Sequence, residues 1–352
     1  MPIVNERTKQ NSFGMTKIHC ALDARAQQAL KWLRADVDLR ADSIAAVSGD
    51  ASFRRYFRIA VAEQCYVIMD APPDRENVQA FVKVAGLLAD TGVNVPEIFA
   101  VDRSQGFMLL GDFGVVSYFD QLNHITVADL YADALNTLLR FQQGVDIETA
   151  GLPAYDEALL TREIGLFSEW FLQKKLALNL DQSARSILED VRSILVKSAL
   201  QQPRVCVHRD YHSRNLMVVG DLNPGVLDFQ DAVVGPITYD LVSLLRDCYI
   251  EWPESVVYEW LRLFHRRWNG LGVSLQFDQL LRWFDLMGMQ RHMKAIGIFS
   301  RLDLRDGKPG YVADIPRTLR YICSVSQRYP ELKEFYRLLE SEILPALKMI
   351  SD

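Results

Sequence analysis

Apolar positions recur along this chain in two rhythms, and the change from one to the other falls near residue 112. Residues 1–20 carry no clear periodicity and are expected to be partly disordered. Residues 21–35 place Leu22, Ala26, Ala29, Leu30 and Leu33 at helical spacing, which predicts an amphipathic leading helix. Short β-type runs follow at 43–47, 52–59 and 64–69, with Gly49-Asp50 turning the first pair. Pro72-Pro73 ends the third run, and 74–90 then predicts a helix with Val78, Phe81, Val82, Ala85 and Leu88 on one face. Runs at 97–101 and 106–110 complete a five-stranded sheet. Beyond Val115 the period is helical, at 128–141, 157–176, 183–199, 239–248, 254–268, 277–299, 315–328 and 332–344, the last stopped by Pro345. No internal repeat or low-complexity tract interrupts the pattern. The expectation is an α+β chain in two lobes: a small β-rich one with one main helix over 21–111, and a larger helical one over 112–352.

One stretch breaks the helical rhythm of the second half. It reads Val205-Cys-Val-His208-Arg-Asp210-Tyr-His-Ser-Arg-Asn215-Leu-Met-Val-Val219, then Gly225-Val-Leu-Asp228-Phe-Gln-Asp231. Apolar segments at 204–207, 216–219 and 225–227 are too brief for helices, and Gly220-Asp-Leu-Asn-Pro224 reads as a turn. A strand, a polar loop and a hairpin are predicted. Asp210 then sits in the loop two residues after His208, Asn215 closes the loop five residues later, and Asp228 ends the hairpin. These offsets resemble the His-Arg-Asp-four-residues-Asn catalytic loop and the metal-binding aspartate of the protein-kinase-like phosphotransferases. By that resemblance Asp210 accepts the proton of an incoming hydroxyl, while Asn215 and Asp228 offer hard oxygen ligands to Mg²⁺ beside ATP. A lone carboxylate in a turn is ordinarily a turn or cap residue; the constellation carries the reading. Arg209 and His212 stay open between substrate contact and loop packing.

Composition narrows the partners. The chain has 352 residues, 49% hydrophobic and 24% charged, which suits an ordinary soluble protein with a large core. A net charge of −6 argues against a polyanion-binding surface, so nucleic acid is not an expected partner. Five cysteines, Cys20, Cys65, Cys206, Cys248 and Cys323, are scattered without metal-type spacing and read as reduced. No apolar run reaches a membrane span, and the polar start Met1-Pro-Ile-Val-Asn-Glu-Arg lacks a signal-peptide core, so a cytoplasmic location is expected.

The order β-β-β-α-β-β followed by helices matches the small and large lobes of a bilobal protein-kinase-like fold, with a hinge at Leu109-Leu-Gly-Asp112 whose main chain, at Leu110, would pair with adenine. Between the first two strands, Ser48-Gly-Asp-Ala-Ser52-Phe-Arg54-Arg55-Tyr-Phe-Arg58 is a turn that can fold over nucleotide phosphates through Ser52 and a cation, or simply form a basic surface hairpin. Protein kinases carry a phosphate-binding lysine on the third strand. Cys65-Tyr-Val-Ile-Met-Asp70 has none, which leaves Arg54 or Arg55 as the nearest replacement.

Further stretches narrow the resemblance: Gly49-Asp-Ala-Ser-Phe-Arg-Arg-Tyr-Phe-Arg58, Val67-Ile-Met-Asp-Ala-Pro-Pro73, Gly235-Pro-Ile-Thr-Tyr-Asp240-Leu, and the run from Gln290-Arg-His-Met-Lys to Arg-Asp-Gly307. With the catalytic loop, these are similar to the aminoglycoside phosphotransferase superfamily, and within it to the bacterial anomeric sugar kinases that phosphorylate N-acetylmuramate and N-acetylglucosamine at C1. The resemblance implies an amino-sugar kinase of cell-wall sugar recycling, with Asp240 and His208 supporting the catalytic loop. It lifts one more pattern: Arg291, Lys294, Ile298, Arg301 and Arg305 fall on one helical face, four cations that could meet an acidic sugar or form a solvated surface. Asp231, Arg291, His292, Arg301 and Tyr311 are the acceptor-binding expectations. Rival readings are a kinase of another hydroxylated small molecule, such as an aminoglycoside or a choline-like compound, or a nucleotide-binding regulator without turnover.

Overall fold

The computed structural model describes residues 23–47, 53–270, 272 and 274–351. The expectations for residues 1–20, for the Gly49-Asp50 turn and for Ser52 lie outside the described residues. The chain divides into two compact units, one formed by residues up to Gln79 together with Pro96–Asp112, the other by Ala80–Val95 and Phe113–Asp352.

The first unit opens with α1 (Ala24–Asp36), whose first turn is capped by Asp23 accepting the Ala26 N–H at 2.8 Å. Five antiparallel strands follow: β1 (Ser43–Val47), β2 (Arg55–Val61), β3 (Gln64–Asp70) and, after α2 (Val78–Asp90), β4 (Ile98–Asp102) and β5 (Phe107–Gly111). Their order is β1-β2-β3-β5-β4. Alternate strand positions, Phe57, Ile59, Ile68, Phe107 and Leu109, meet Ala26, Ala29, Trp32 and Leu33 of α1 in one core. Gly106 is forced on the turn before β5: its φ is +76°, and a Cβ there would lie 1.9 Å from the Ala71 carbonyl oxygen. The sheet runs to Gly111, whose N–H donates to the Glu97 carbonyl at 2.8 Å. Leu110 is therefore an interior strand residue, 3% exposed and flanked by Val67 and Ile98, not an open hinge position as the sequence suggested.

The arginines of β2 are tied to carboxylates. Asp70, with no exposed surface, accepts Arg25 Nε at 3.1 Å and Arg55 Nη2 at 2.5 Å, and Arg55 also pairs with Asp23. Arg58 makes a two-point contact with Asp112, at 2.5 and 2.8 Å. Arg54 is buried, with Glu76 at 3.8 Å.

The second unit takes residues 80–95 away from the lobe that sequence reading assigned to 21–111. The reason is packing of the α2 face: Phe81 meets Phe229 with centroids 4.7 Å apart, and Lys83 Nζ donates to the Gly151 carbonyl at 2.6 Å. Arg140 Nη1 donates to the Gly92 carbonyl at 2.9 Å, and Asn94 accepts the Val226 N–H at 2.8 Å. Helices α3 (Tyr118–Gln121), α4 (Val127–Gly144), α5 (Glu157–Leu166) and α6 (Gln182–Leu200) lead to the strands β6 (Arg204–Val207), β7 (Leu216–Met217), β8 (Gly225–Val226) and β9 (Val233–Pro236). The expected helix at 157–176 is α5 followed by a π-helical segment, Phe167–Lys175. The β7–β8 hairpin was foreseen; β9, a four-residue run ending in Gly-Pro, was not, and it pairs antiparallel with β6.

Helices α7 (Thr238–Leu245), α8 (Glu254–Asn269), α9 (Phe277–Leu304), α10 (Ile315–Arg328), α11 (Lys333–Leu338) and α12 (Leu344–Ser351) complete the unit. Pro345 does not stop the last helix as expected: the helical run continues through a π turn at Leu339–Ile343 into α12, and the wider turn makes room for the proline ring where its N–H is missing. The long helix α9 is buried on most of its circumference and packs against α5, α6, α7, α10 and the π segment. Among the described residues no helix is long and apolar enough to cross a membrane. The described cysteines are all free thiols: Cys206 and Cys248 buried, Cys323 partly so, Cys65 exposed.

At its centre α9 touches main chain. A Cβ on Gly297 would lie 2.5 Å from the carbonyl carbon of Leu166, where α5 gives way to the π segment. Neither backbone can yield cheaply, so Gly297→Ala is expected to destabilise the protein by about 1–3 kcal/mol. A thermal unfolding scan checks this; an unchanged midpoint would show that the two helices can separate at no cost.

Candidate active site

Asp240 governs the geometry of the loop. It lies in the first turn of α7 with no exposed surface, and its oxygens accept the main-chain N–H of His208 at 2.6 Å and of Arg209 at 2.9 Å. Burial pushes its carboxyl up to about 7, the charge of Asp210 adds to this, and the two N–H donors pull the other way. The grip holds the chain in a shape it does not adopt freely. Arg209, at φ +80°, and Asp228, at φ +61°, are both left-handed without being glycine, a conformation costing roughly 1–3 kcal/mol each.

His208 is the loop's second support. Its Nδ1 accepts the Asp210 N–H at 3.2 Å and its Nε2 stands 3.0 Å from the Leu227 carbonyl oxygen, so the proton is on Nε2. Burial lowers its pKa to about 4, against the charge of Asp210, and the ring is neutral at ordinary pH. Tyr211 packs edge-on against it and donates its hydroxyl to the Ala134 carbonyl at 2.9 Å.

Asn215 joins the loop to the hairpin. Its Nδ2 donates to the Asp210 carbonyl at 3.0 Å and reaches Asp228 Oδ2 at 3.5 Å, while its own carbonyl accepts the Leu227 N–H at 2.9 Å. Asn215 Oδ1 accepts no hydrogen bond among the described residues. Gln230 Nε2 donates to Asp228 Oδ1 at 2.8 Å and lies 3.3 Å from Asp231 Oδ2. The structure thus brings together Asp210, Asn215 and Asp228 with their supports His208 and Asp240, and sets the exposed Asp231 beside them.

Asp210 is part-exposed, and its pKa reflects opposing effects. Burial alone would raise it, but the charges of Lys294, His212, Arg209 and Arg291 outweigh burial and hold the carboxyl below its ordinary value. Two of those cations are fixed by buried Glu163, which pairs with Arg209 and lies 3.3 Å from Lys294 Nζ. Tyr155 donates its hydroxyl to Glu163, and Lys294 Nζ donates to the Tyr239 hydroxyl at 2.9 Å. Sequence reasoning missed Glu163 and Asp247, polar residues inside an otherwise ordinary helix or turn with no motif around them; it also passed over Arg214 and Gln230, which stood inside the quoted motif itself.

The late-helix expectations separate. Arg291 and Lys294 are buried near Asp210, whereas Arg305 pairs with Asp306 in solvent. His292 is completely enclosed: it stacks on Tyr321 with centroids 4.8 Å apart, bonds the Arg246 carbonyl through Nε2 at 2.9 Å, and is driven by burial to a pKa of about 3. It faces away from the loop because it is one position, about a quarter-turn, beyond Arg291. Arg301 and Tyr311 are half-buried, the latter stacked on Phe299 at 5.6 Å.

A helical unit carrying this loop and hairpin, with a five-stranded antiparallel sheet in the other unit, defines a phosphotransferase of the protein-kinase-like class. The chain belongs to the phosphotransferase enzyme family, whose model matches residues 43–273. It is 45% identical over 332 residues to the N-acetylmuramate/N-acetylglucosamine kinase of Pseudomonas aeruginosa, covering 91% of this chain and 97% of that protein. A protein of the same name from Neisseria meningitidis is 42% identical over 318 residues, 88% of this chain and 93% of that one. Among solved structures, the GDP complex of aminoglycoside 2′-phosphotransferase-IIIa superposes with a TM-score of 0.60 at 16% identity, over 84% of this chain and 98% of that one, which establishes the fold.

The raised pKa of Asp240 gives a signed prediction. The folded value lies above the ordinary 3.8, so the contribution of the protonated acid is complete below about pH 4 and is lost as pH rises through 7. The stability of the native chain relative to Asp240→Asn, which does not titrate, should be highest near pH 4 and fall toward pH 8. Denaturant midpoints across that range measure it; a constant difference would mean that Asp240 titrates alike folded and unfolded.

Proposed function

We propose that this protein is an ATP- and Mg²⁺-dependent amino-sugar kinase that phosphorylates the anomeric hydroxyl of N-acetylmuramate and N-acetylglucosamine. One observation carries the reading: Asn215 Nδ2 links the main chain of Asp210 to the carboxylate of Asp228, which gathers the proposed proton acceptor and the two proposed cation ligands around one side chain. The names of the full-length relatives support the acceptor class.

The donor set fits magnesium. Asn215 Oδ1 and the Asp228 carboxylate are hard oxygens, and Mg²⁺ is ordinarily bound by one or two protein oxygens with waters and phosphates completing the shell. Among the described residues no group of three or more His, Cys, Asp or Glu gathers as a closed cage would require. When bound, the cation would neutralise the phosphate oxygens of ATP. For the chemistry itself, Asp210 orients the sugar hydroxyl and takes its proton as the new O–P bond forms and the bond to ADP breaks. Its depressed pKa keeps it ionised for this at neutral pH. Arg54 and Arg55 stand as the cations for the phosphates; Asp70 and Asp23 engage Arg55, and Arg54 lies 3.8 Å from Glu76. Main-chain contacts to the base are left to residues beyond Gly111, and Arg291 is the foremost of the acceptor-side residues, with His292 serving packing.

A kinase of aminoglycosides or choline-like cations is less well served, since the groups around Asp210 include Lys294, Arg209 and Arg291. The deciding experiment follows ADP release with Mg²⁺ and ATP against amino sugars, aminoglycosides and choline; turnover confined to aminoglycosides or choline, or absent for all, would end the reading. Asp210→Asn should lower kcat by about 10²–10⁴-fold with nucleotide affinity retained, because Asn215 bonds the main chain of residue 210 and not its side chain. Asp228→Ala should remove the Mg²⁺-dependent part of nucleotide affinity; calorimetric titration with and without the ion distinguishes the two variants.

A further inference from the structure

Three nitrogen-bearing side chains surround the turn Asp247-Cys248-Tyr249 that follows α7. Arg214, from the catalytic loop, lies over the Tyr249 ring with its guanidinium carbon 3.6 Å from the centroid. The His212 ring meets the same tyrosine edge-on, centroids 5.2 Å apart. Arg291 reaches in from α9 and donates Nη1 to Cys248 Sγ at 3.4 Å. The turn's own carboxylate is already used: Asp247 Oδ2 accepts the N–H and hydroxyl of Ser213 at 3.0 and 2.5 Å, and Oδ1 accepts the Tyr249 N–H at 2.9 Å.

Among the described residues, none of the three side chains hydrogen-bonds to an anion. Among the described residues, Arg291 has a thiol as its only hydrogen-bond partner, Arg214 makes ring contacts alone, and His212 Nδ1 is buried with no partner. Arg291 is 6% exposed and His212 9%. A buried guanidinium is costly unless a carboxylate or phosphate meets its donors, and a thiol is a weak acceptor. Arg214, exposed beside them and four residues after Asp210, provides the open side. The acids acting on these three are Asp210 and Asp247, with Asp120 acting on Arg214, offset by Lys294 and Arg209.

We infer that Arg214, His212 and Arg291 form an anion subsite next to Asp210 that receives a carboxylate carried by the acceptor sugar. The inference rests on the amino-sugar kinase reading and makes it more specific. N-acetylmuramate bears one carboxylate on its ether arm and N-acetylglucosamine bears none. Both present the same hydroxyl to Asp210, and the acidic sugar gains a charge-assisted contact that the neutral one lacks. Tyr249 holds the Arg214 guanidinium flat, which leaves its in-plane donors free for that contact.

The experiment compares kcat/KM for the two sugars in the native enzyme and in Arg214→Gln and Arg291→Lys, with the ATP KM measured in parallel. Each variant should lower the ratio of N-acetylmuramate to N-acetylglucosamine specificity at least tenfold, through KM, with the ATP KM unmoved. An equal loss for both sugars would overturn the subsite while leaving the sugar-kinase reading intact. A rise in the ATP KM with an unchanged sugar ratio would also overturn it, assigning the cations to nucleotide phosphate. Native enzyme that turns over neither sugar would overturn the kinase reading and the subsite with it. Arg214 is exposed, so its variant stays informative even if Arg291→Lys fails to fold.

Discussion

The architecture around the site depends on one buried carboxylate. Asp240 satisfies two consecutive main-chain N–H groups, and that grip turns the chain sharply between β6 and the loop. Everything after it inherits its position from this turn: the left-handed Arg209, the Asp210 backbone resting on His208, and Asn215 reaching back to the Asp210 carbonyl. The strand β9 matters for the same reason. By pairing with β6 it delivers α7, and therefore Asp240, to the place where the N–H groups emerge.

Charge in this interior is balanced by groups that do no chemistry. Glu163 holds Arg209 and Lys294 together, and those cations keep Asp210 ionised against its burial. A buried pair of this sort adds little to net stability, since desolvation cancels most of the attraction. Its value is electrostatic: under the proposed reading Asp210 has to be anionic to take a proton, and a preset field does this without any rearrangement. The same accounting leaves His208, held between the Asp210 N–H and the Leu227 carbonyl, neutral at ordinary pH.

Legibility in the sequence followed locality. The grouping of His208, Asp210, Asn215 and Asp228 was readable because these residues lie within twenty-one positions and their placement is set by short strands and one turn. The sheet was readable too, since each strand alternates over a single core. What escaped was long-range. Glu163 lies 46 residues from Arg209, and nothing in its helix marks it as the partner. The cationic stripe on α9 was seen as a face, but α9 is buried on most sides, so its first members are interior and its last member is in water. Leu110 and the 80–95 segment were misplaced because a strand's end, and the surface a helix chooses, are decided by partners far along the chain.

The allegiance of α2 has a further consequence during synthesis. Its apolar side, with Phe81 and Leu88, finds its cover only once Phe229 and the segments before it exist. At about 5–20 residues per second, ribosomes need roughly seven to thirty seconds to make that stretch. For that interval the apolar side of α2 lacks its native cover, the kind of transiently exposed surface that makes unfinished chains prone to aggregate.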